Sequence, residues 1–291
     1  MTRMARDVLP VLTVVAGLLV VWYVLAVVLN AGFARDQAER DGVTLGPRAL
    51  VAATLEQERP RLPAPHQLAA ELWKTTVEVA PTSKRSLVYH AWVTLAATLA
   101  GFALGAGLGI ALAIGIVHDR TMDASVMPWV IASQTIPILA VAPMVIVVLA
   151  SVGVTGLLPK AIISMYLCFF PVVVGMVKGL RSPDRMLLDQ MRTWNASAAQ
   201  TLGKLRWPAA LPYLFASLKV GVAASLVGTI IGEMPTGAVA GLGARMLSGS
   251  YYGQTIQIWA ALAMAAMLAA VLVGLIGLVE RVTAAAMGGR R

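Results

Sequence analysis

The sequence predicts an all-α, polytopic membrane protein with about six transmembrane helices. Of the 291 residues, 58% are apolar and only 13% are charged, whereas soluble domains carry about 25% charged residues. Crossing the apolar core of a bilayer takes about 20 helical residues. Apolar stretches that meet this length lie near 8–29, 88–117, 126–150, 157–180, 212–235 and 256–280.

The composition also excludes several classes of function. The formal charge of +9 at pH 7 does not indicate a nucleic-acid partner, because the basic residues gather at the ends of apolar stretches and form no single patch. A single cysteine, Cys168, excludes a disulfide framework. The three histidines, His66, His90 and His118, lack metal-ligand spacing, and the sequence contains no P-loop. We therefore expect no cofactor and no catalysis by this chain.

The first apolar stretch is predicted to be an uncleaved anchor helix. Arg3 and Arg6 precede it, as in a signal peptide, but its apolar core is longer than the usual h-region and no small-residue cleavage site follows. Residues 31–60 carry mixed charges, which indicates a helical periplasmic insert, and a solvated lid is favoured over a ligand-binding role. Residues 1–60 would thus form an anchor with its insert, and residues 61–291 the transmembrane domain.

The basic residues of the short loops predict the orientation, because lysine and arginine resist translocation. A cytoplasmic N-terminus places most of them inside, whereas the opposite short loops hold little beyond Arg245 and Lys160. The residues that this orientation places inside are Arg3, Arg6, Arg120, Lys178, Arg181, Arg185, Arg192, Lys204, Arg206, Arg281, Arg290 and Arg291.

The second span carries a stripe of small residues. Gly101, Gly105 and Gly109 are four residues apart and therefore share one helix face, on which another helix can approach closely. Packing within the same chain is favoured over a dimer contact.

Two later spans supply candidates for a solute path. Prolines interrupt the third span, beside Gln134 and Thr135, and polar interrupted helices persist in a bilayer only when buried in protein or facing a wet cavity. A kinked packing helix is the alternative. The fifth span contributes Ser225 and ends at Glu233, whose carboxylate is costly in hydrocarbon unless it faces protein or water. Whether Glu233 lines a path or anchors a helix end stays open.

The loop between the fourth and fifth spans is the most informative segment. Helical segments are predicted near 184–194 and 198–206, with a bend at Asn195-Ala196-Ser197, and Pro208 to Pro212 are expected to close the loop. A pair of short helices outside the bilayer is suited to docking on another protein.

This loop resembles the signature loop of the inner-membrane permeases of binding-protein-dependent ABC importers. That signature reads Glu-Ala-Ala, three residues, Gly, nine residues, then Ile-x-Leu-Pro. Asp189, Gln190 and Met191 occupy the Glu-Ala-Ala positions, and Asn195 occupies the glycine position. Asparagine suits a bend with a left-handed backbone because it tolerates that conformation better than most side chains.

The resemblance extends over about 62–280 and is strongest to the nitrate, sulfonate, taurine and thiamine-pyrimidine-precursor group. The motifs that carry it are Leu62-Pro63-Ala64-Pro65, Ala142-Pro143, Gly156-Leu157-Leu158-Pro159-Lys160, Arg192-Thr193-Trp194-Asn195-Ala196-Ser197, Pro208-Ala209-Ala210-Leu211-Pro212, Ile231-Gly232-Glu233 and Gly241-Leu242-Gly243.

The resemblance implies a type I ABC importer permease fold in the bacterial inner membrane. It further implies a second permease copy or paralogue, a cytoplasmic ABC ATPase dimer, and a periplasmic substrate-binding protein that delivers a small organic solute or oxyanion near 236–254. The segment 181–211, here called the coupling loop, would seat in the ATPase. Its coupling residues would be Asp189, Gln190, Met191, Asn195, Ala196, Ser197 and Gly203.

An ion-coupled secondary transporter is the alternative reading of the same spans. Such transporters show inverted repeats with paired interrupted helices. This sequence has one interrupted span and no second half that mirrors it.

Overall fold

A computed structural model describes residues 3–235 and 239–287, with only the backbone described for residues 3–8. All regular structure in these residues is helical, which confirms the all-α prediction. The helices are α1 (Arg3–Arg40), α2 (Pro47–Leu55), α3 (Pro65–Trp73), α4 (Leu87–His118), α5 (Arg120–Ser133), α6 (Ile138–Ser151), α7 (Leu157–Leu180), α8 (Arg185–Thr193), α9 (Ala198–Thr201), α10 (Trp207–Glu233), α11 (Leu242–Tyr251) and α12 (Thr255–Ala286). Two π-helical turns, Lys74–Glu78 and Leu202–Arg206, extend α3 and α9.

Five helical segments in the described part are long and apolar enough to cross a membrane, and a bent pair brings the number up to six. The five segments are Leu9–Arg40, Leu87–His118, Leu157–Leu180, Ala198–Glu233 and Thr255–Ala286. The predicted number of spans is therefore confirmed.

The third predicted span, 126–150, is not one helix. It is divided into α5 and α6, whose axes differ by 99°. Pro137 stands at the break with an extended backbone, and because a proline disfavours helical geometry in the residue before it, the first helix ends there. Pro128 and Pro143 lie inside α5 and α6 without ending either helix.

The coupling loop does not close at Pro208 to Pro212 as predicted. The chain continues from α9 through the π-helical turn directly into α10, so that Ala198–Glu233 forms one helical run. Pro208 lies in the first turn of α10, where a missing backbone N–H is tolerated. Pro212 lies inside α10 and does not end it.

One compact unit consists of residues 1–89 and 245–264. Its α1, predicted to end near residue 29, continues to Arg40. Within this longer helix Asn30 is fully buried: its Nδ2 donates to the Leu62 carbonyl (2.9 Å), and its Oδ1 accepts from the Arg61 N–H (2.8 Å). These bonds fold the following segment back along α1, so the insert is a helical hairpin continuous with the first span.

The other compact unit consists of residues 90–244 and 265–291, and α7 lies at its centre. The glycine stripe of α4 faces α7 in the same chain. A Cβ added at Gly105 would lie 2.7 Å from Cys168 Cβ, and one at Gly109 would lie 2.8 Å from Val172 Cβ, while one at Gly101 would overlap Ser164. Small residues of α10 likewise allow it to pack closely against α7, where Gly221 approaches Cys168 and Gly228 approaches Ser164.

Candidate functional site

The helix α10 carries a candidate site at each end. It runs antiparallel to α7, and its 27 residues span about 40 Å at about 1.5 Å per residue. The coupling loop lies at its N-terminal end, and Glu233 is its last residue. The two sites therefore lie at opposite ends of the membrane-spanning helix α10.

The bend of the coupling loop is determined by local backbone and side-chain hydrogen bonds. Asn195 has φ 51° and is the one non-glycine residue with positive φ in the described chain. The Asn195 N–H donates to the Arg192 carbonyl and the Ala196 N–H to the Met191 carbonyl, both at 2.9 Å. This is the Schellman arrangement, which ends a helix through a left-handed residue. Ser197 then begins α9 by accepting from the Gln200 N–H at 3.2 Å.

Two contacts hold the loop to the transmembrane helices, and a third joins α7 to α10 beside it. Arg206 Nη1 donates to the Leu180 carbonyl at 3.2 Å, which joins the end of α7 to the run that leads into α10. Arg181 Nη2 pairs with Asp123 Oδ2 of α5 at 2.8 Å. The Lys178 ammonium lies 5.9 Å from the Tyr213 ring centroid. The loop is therefore connected to α5, α7 and α10.

The outer surface of α8 carries uncovered apolar side chains. Met186 is 77% exposed and Trp194 is 67% exposed, and Leu187 beside them is also exposed. Exposed apolar patches of this kind mark interaction surfaces. Asp189 lies on the same short helix and pairs with Arg192 at 2.9 Å, but because both side chains are solvent-exposed this pair contributes little stability.

The structure brings all seven predicted coupling residues into this loop. The exposed members are Asp189, Gln190, Asn195, Ser197 and Gly203. Met191 and Ala196 are half-buried, and Met191 accepts the bond that closes the bend.

At the other end of α10, the carboxylate of Glu233 is fully buried and hydrogen-bonded. Thr94 Oγ1 of α4 donates to it at 3.0 Å, and the Gly243 N–H donates at 2.9 Å. Lys160 Nζ of α7 lies 3.8 Å from Glu233 Oε1. A buried carboxylate is stable only when it is hydrogen-bonded or paired in this way.

The same polar side chains bind the backbone of residues 240–243. The Gly241 N–H donates to His90 Nδ1 at 3.0 Å, and the Leu242 N–H donates to Thr94 Oγ1 at 2.8 Å. Lys160 Nζ donates to the Ala240 carbonyl at 3.3 Å. We call these four side chains, with residues 240–243, the neck; its side-chain members are His90, Thr94, Lys160 and Glu233.

Glycine is required at two positions of the neck. Gly241 has φ +128°, and a Cβ there would overlap the Glu233 carboxylate. A Cβ at Gly243 would overlap the Ile230 carbonyl oxygen. Sequence reasoning found Glu233 but missed His90 and Thr94, although their four-residue spacing on a predicted membrane helix was a usable signal.

The structure does not bring the four path candidates together. Ser225 is fully buried, where it accepts a hydrogen bond from Ser164 Oγ at 3.0 Å and so joins α10 to α7. Gln134 and Thr135 are exposed at the bend between α5 and α6. Glu233 lies in the neck. In the described residues no group of three or more potential metal ligands is found.

These features define a multi-pass membrane protein with a polar site at each end of one spanning helix. Residues 105–286 match the family described as binding-protein-dependent transport system inner membrane component. The chain belongs to this family, the inner-membrane permeases of ABC importers, which confirms the resemblance seen in the coupling loop. An ion-coupled secondary transporter is thereby disfavoured.

Several named permeases are similar in sequence. The riboflavin transport system permease protein RibX of Chloroflexus aurantiacus is 32% identical over 76% of this chain and 78% of its own length. The formylaminopyrimidine transport permease protein ThiX of Halalkalibacterium halodurans is 30% identical over 62% and 68%. The putative aliphatic sulfonates transport permease protein SsuC of Bacillus subtilis is 25% identical over 74% and 78%.

Proposed function

We propose that this chain imports a small organic solute across the bacterial inner membrane, driven by ATP hydrolysis in a separate cytoplasmic ATPase dimer. The observation that carries the proposal is the coupling loop, whose uncovered apolar face lies on a bend determined by Asn195 and is held to three transmembrane helices. A second permease copy or paralogue completes the path, and a periplasmic binding protein delivers the solute.

The charge of the loop supports a cytoplasmic location. Five basic residues lie between the end of α7 and the start of α10, and basic loops are retained inside. They are Arg181, Arg185, Arg192, Lys204 and Arg206. This orientation places the N-terminus in the cytoplasm and the neck on the periplasmic side. Of the predicted delivery surface near 236–254, residues 236–238 lie outside the described residues.

Affinity capture of the tagged chain from native membranes tests the ATPase partnership. We expect a stoichiometric P-loop ATPase with the unsubstituted chain, and about tenfold less of it with Met186→Glu, because burying a charge in the docking face costs more than about 1.4 kcal/mol. Val43→Glu is the control, since Val43 is exposed, at 54%, in the insert, which belongs to the other compact unit. Full ATPase capture by the Met186 variant would contradict this docking face.

The lysines within the spans support a neutral or zwitterionic solute. Lys160 lies beside Glu233, and Lys219 of α10 pairs with Glu280 of α12. Lys160 and Lys219 therefore each face a carboxylate, so neither of these two lysines is a dedicated oxyanion site. Two of the relatives are named for riboflavin and formylaminopyrimidine transport, and we propose a nitrogen heterocycle of that chemical class.

Competition for uptake distinguishes the solute classes. The uptake of radiolabelled riboflavin would be measured in energised cells that express the chain with its partners. The competitors, each in the same excess, would be unlabelled riboflavin, a formylaminopyrimidine, an alkanesulfonate and nitrate. We expect the heterocycles to compete and the oxyanions to have little effect. Competition by nitrate or the sulfonate alone would overturn the proposed class, and cells lacking this chain provide the background.

A further inference from the structure

We infer that Glu233, Thr94, Lys160 and His90 join the far end of α10 to the backbone of residues 240–243, so that movement of α10 in the transport cycle repositions this segment. The inference rests on the proposed function for the source of that motion. It assigns Glu233 as a positioning residue of the transport cycle. In this role Glu233 neither binds the solute nor carries protons.

The continuity of the helix is the first step. Ala198–Glu233 runs for 36 residues without a break, and at about 1.5 Å per residue this places its ends about 50 Å apart. Its loop end is joined to α7 by the bond from Arg206 to the Leu180 carbonyl. Because packed helices move as bodies and do not deform continuously, a displacement at the loop reaches the far end of α10.

The second step is that the four side chains of the neck bind backbone atoms of residues 240–243. Three consecutive amides, those of Gly241, Leu242 and Gly243, donate to side chains of the neck, and the Ala240 carbonyl accepts from Lys160. Backbone atoms cannot rotate away as side chains can, so this segment follows the groups that hold it.

The third step concerns the helices that supply those groups. Thr94 belongs to α4, Lys160 to α7 and Glu233 to α10, so the segment is held where three helices meet. Any movement of α10 against the other two must change the geometry of bonds that the Gly243 and Leu242 amides make. The Glu233 carboxylate is occupied by Thr94, Gly243 and Lys160, which agrees with a positioning role.

The chain offers a matched control one turn further along the same helix pair. Thr98 Oγ1 of α4 donates to Thr229 Oγ1 of α10 at 3.1 Å, and both residues are fully buried. This bond also joins α4 to α10, but it does not contact residues 240–243. Thr94→Val and Thr98→Val thus remove the same chemical group from the same interface, and only the first removes a contact with residues 240–243.

The experiment uses the substitution Val239→Cys in a Cys168→Ala background. Val239 is 80% exposed and next to the neck. The first readout is uptake of radiolabelled riboflavin. The second is the rate at which a membrane-impermeant maleimide modifies the introduced cysteine, with and without ATP supply. Because valine can neither donate to Glu233 nor accept from the Leu242 N–H, we expect Thr94→Val to lower uptake about tenfold. It should also abolish the dependence of labelling on ATP. Thr94→Ser and Thr98→Val should retain both.

The outcomes separate the inference from the function on which it rests. ATP-dependent labelling that persists in Thr94→Val would overturn the role of the neck. So would an equal loss of uptake and of ATP-dependent labelling in Thr98→Val. ATP-independent labelling of a parent chain that captures its ATPase would overturn it as well. If the parent chain captures no ATPase at all, the proposed function fails and the inference fails with it.

Discussion

Asn195→Val is expected to abolish ATP-driven uptake while the chain remains in the membrane. The φ of 51° at Asn195 lies in the left-handed region, which costs an ordinary side chain about 1–2 kcal/mol and is most unfavourable for a β-branched one. Valine would therefore break the two hydrogen bonds that end α8, from Asn195 to Arg192 and from Ala196 to Met191. The apolar face carrying Met186 would then lose its orientation towards the ATPase.

Asn195→Gly is the matched control for this substitution. Glycine adopts positive φ without steric cost, so the bend should persist and uptake should stay near the level of the unsubstituted chain. The measurements are uptake, ATPase capture and the amount of chain in the membrane for both variants. Normal uptake by the valine variant, or an equal loss in the glycine variant, would show that the left-handed bend does not determine coupling.

Glu233→Ala is expected to produce the largest loss of stability of any single substitution proposed for this chain. It would leave the Lys160 ammonium, whose side chain is 9% exposed, without its carboxylate, and the Gly243 N–H without its acceptor. Breaking a buried ion pair from one side typically costs about 3–5 kcal/mol. Thermal unfolding in mild detergent should show a clear drop in the midpoint.

Two further variants divide this loss into its parts. Glu233→Gln keeps an oxygen acceptor for the Gly243 N–H but removes the negative charge. It should therefore lower the unfolding midpoint less than Glu233→Ala does, and it should still impair uptake. Lys160→Met added to Glu233→Ala removes the uncompensated charge and should recover part of the stability. Asp189→Ala, which removes a carboxylate that is 66% exposed, should leave the midpoint unchanged. An unchanged midpoint in Glu233→Ala would contradict the anchoring role.

Features that depend on short stretches of chain were predictable from the sequence. The membrane spans follow from composition over about 20 residues, because the bilayer imposes one length on every helix that crosses it. The left-handed backbone at Asn195 was also predictable, since only a few residue types accept that conformation and the flanking segments read as helical. The matching family and the exposed position of the coupling loop agree with these local patterns.

Features that depend on packing were decided only by the tertiary structure. The start of the fifth span was misplaced because Pro208 and Pro212 read locally as a helix stop, whereas the π-helical turn before them lets the helix continue. The third span was recognised as interrupted, but its 99° bend was not predictable from the prolines alone, because Pro128 and Pro143 leave their helices intact.

Glu233 shows most clearly the difference between what the sequence determined and what the packing of the helices decided. The sequence by itself determined that a carboxylate stands at the end of a membrane helix, and that such a group requires a polar partner. It did not determine which partner, because Thr94 lies 139 positions away in the chain and contacts Glu233 only after α4 and α10 pack together with α7. Hydropathy and backbone conformation are properties of neighbours in sequence, whereas a buried hydrogen bond requires two groups that only the packed helices bring within reach.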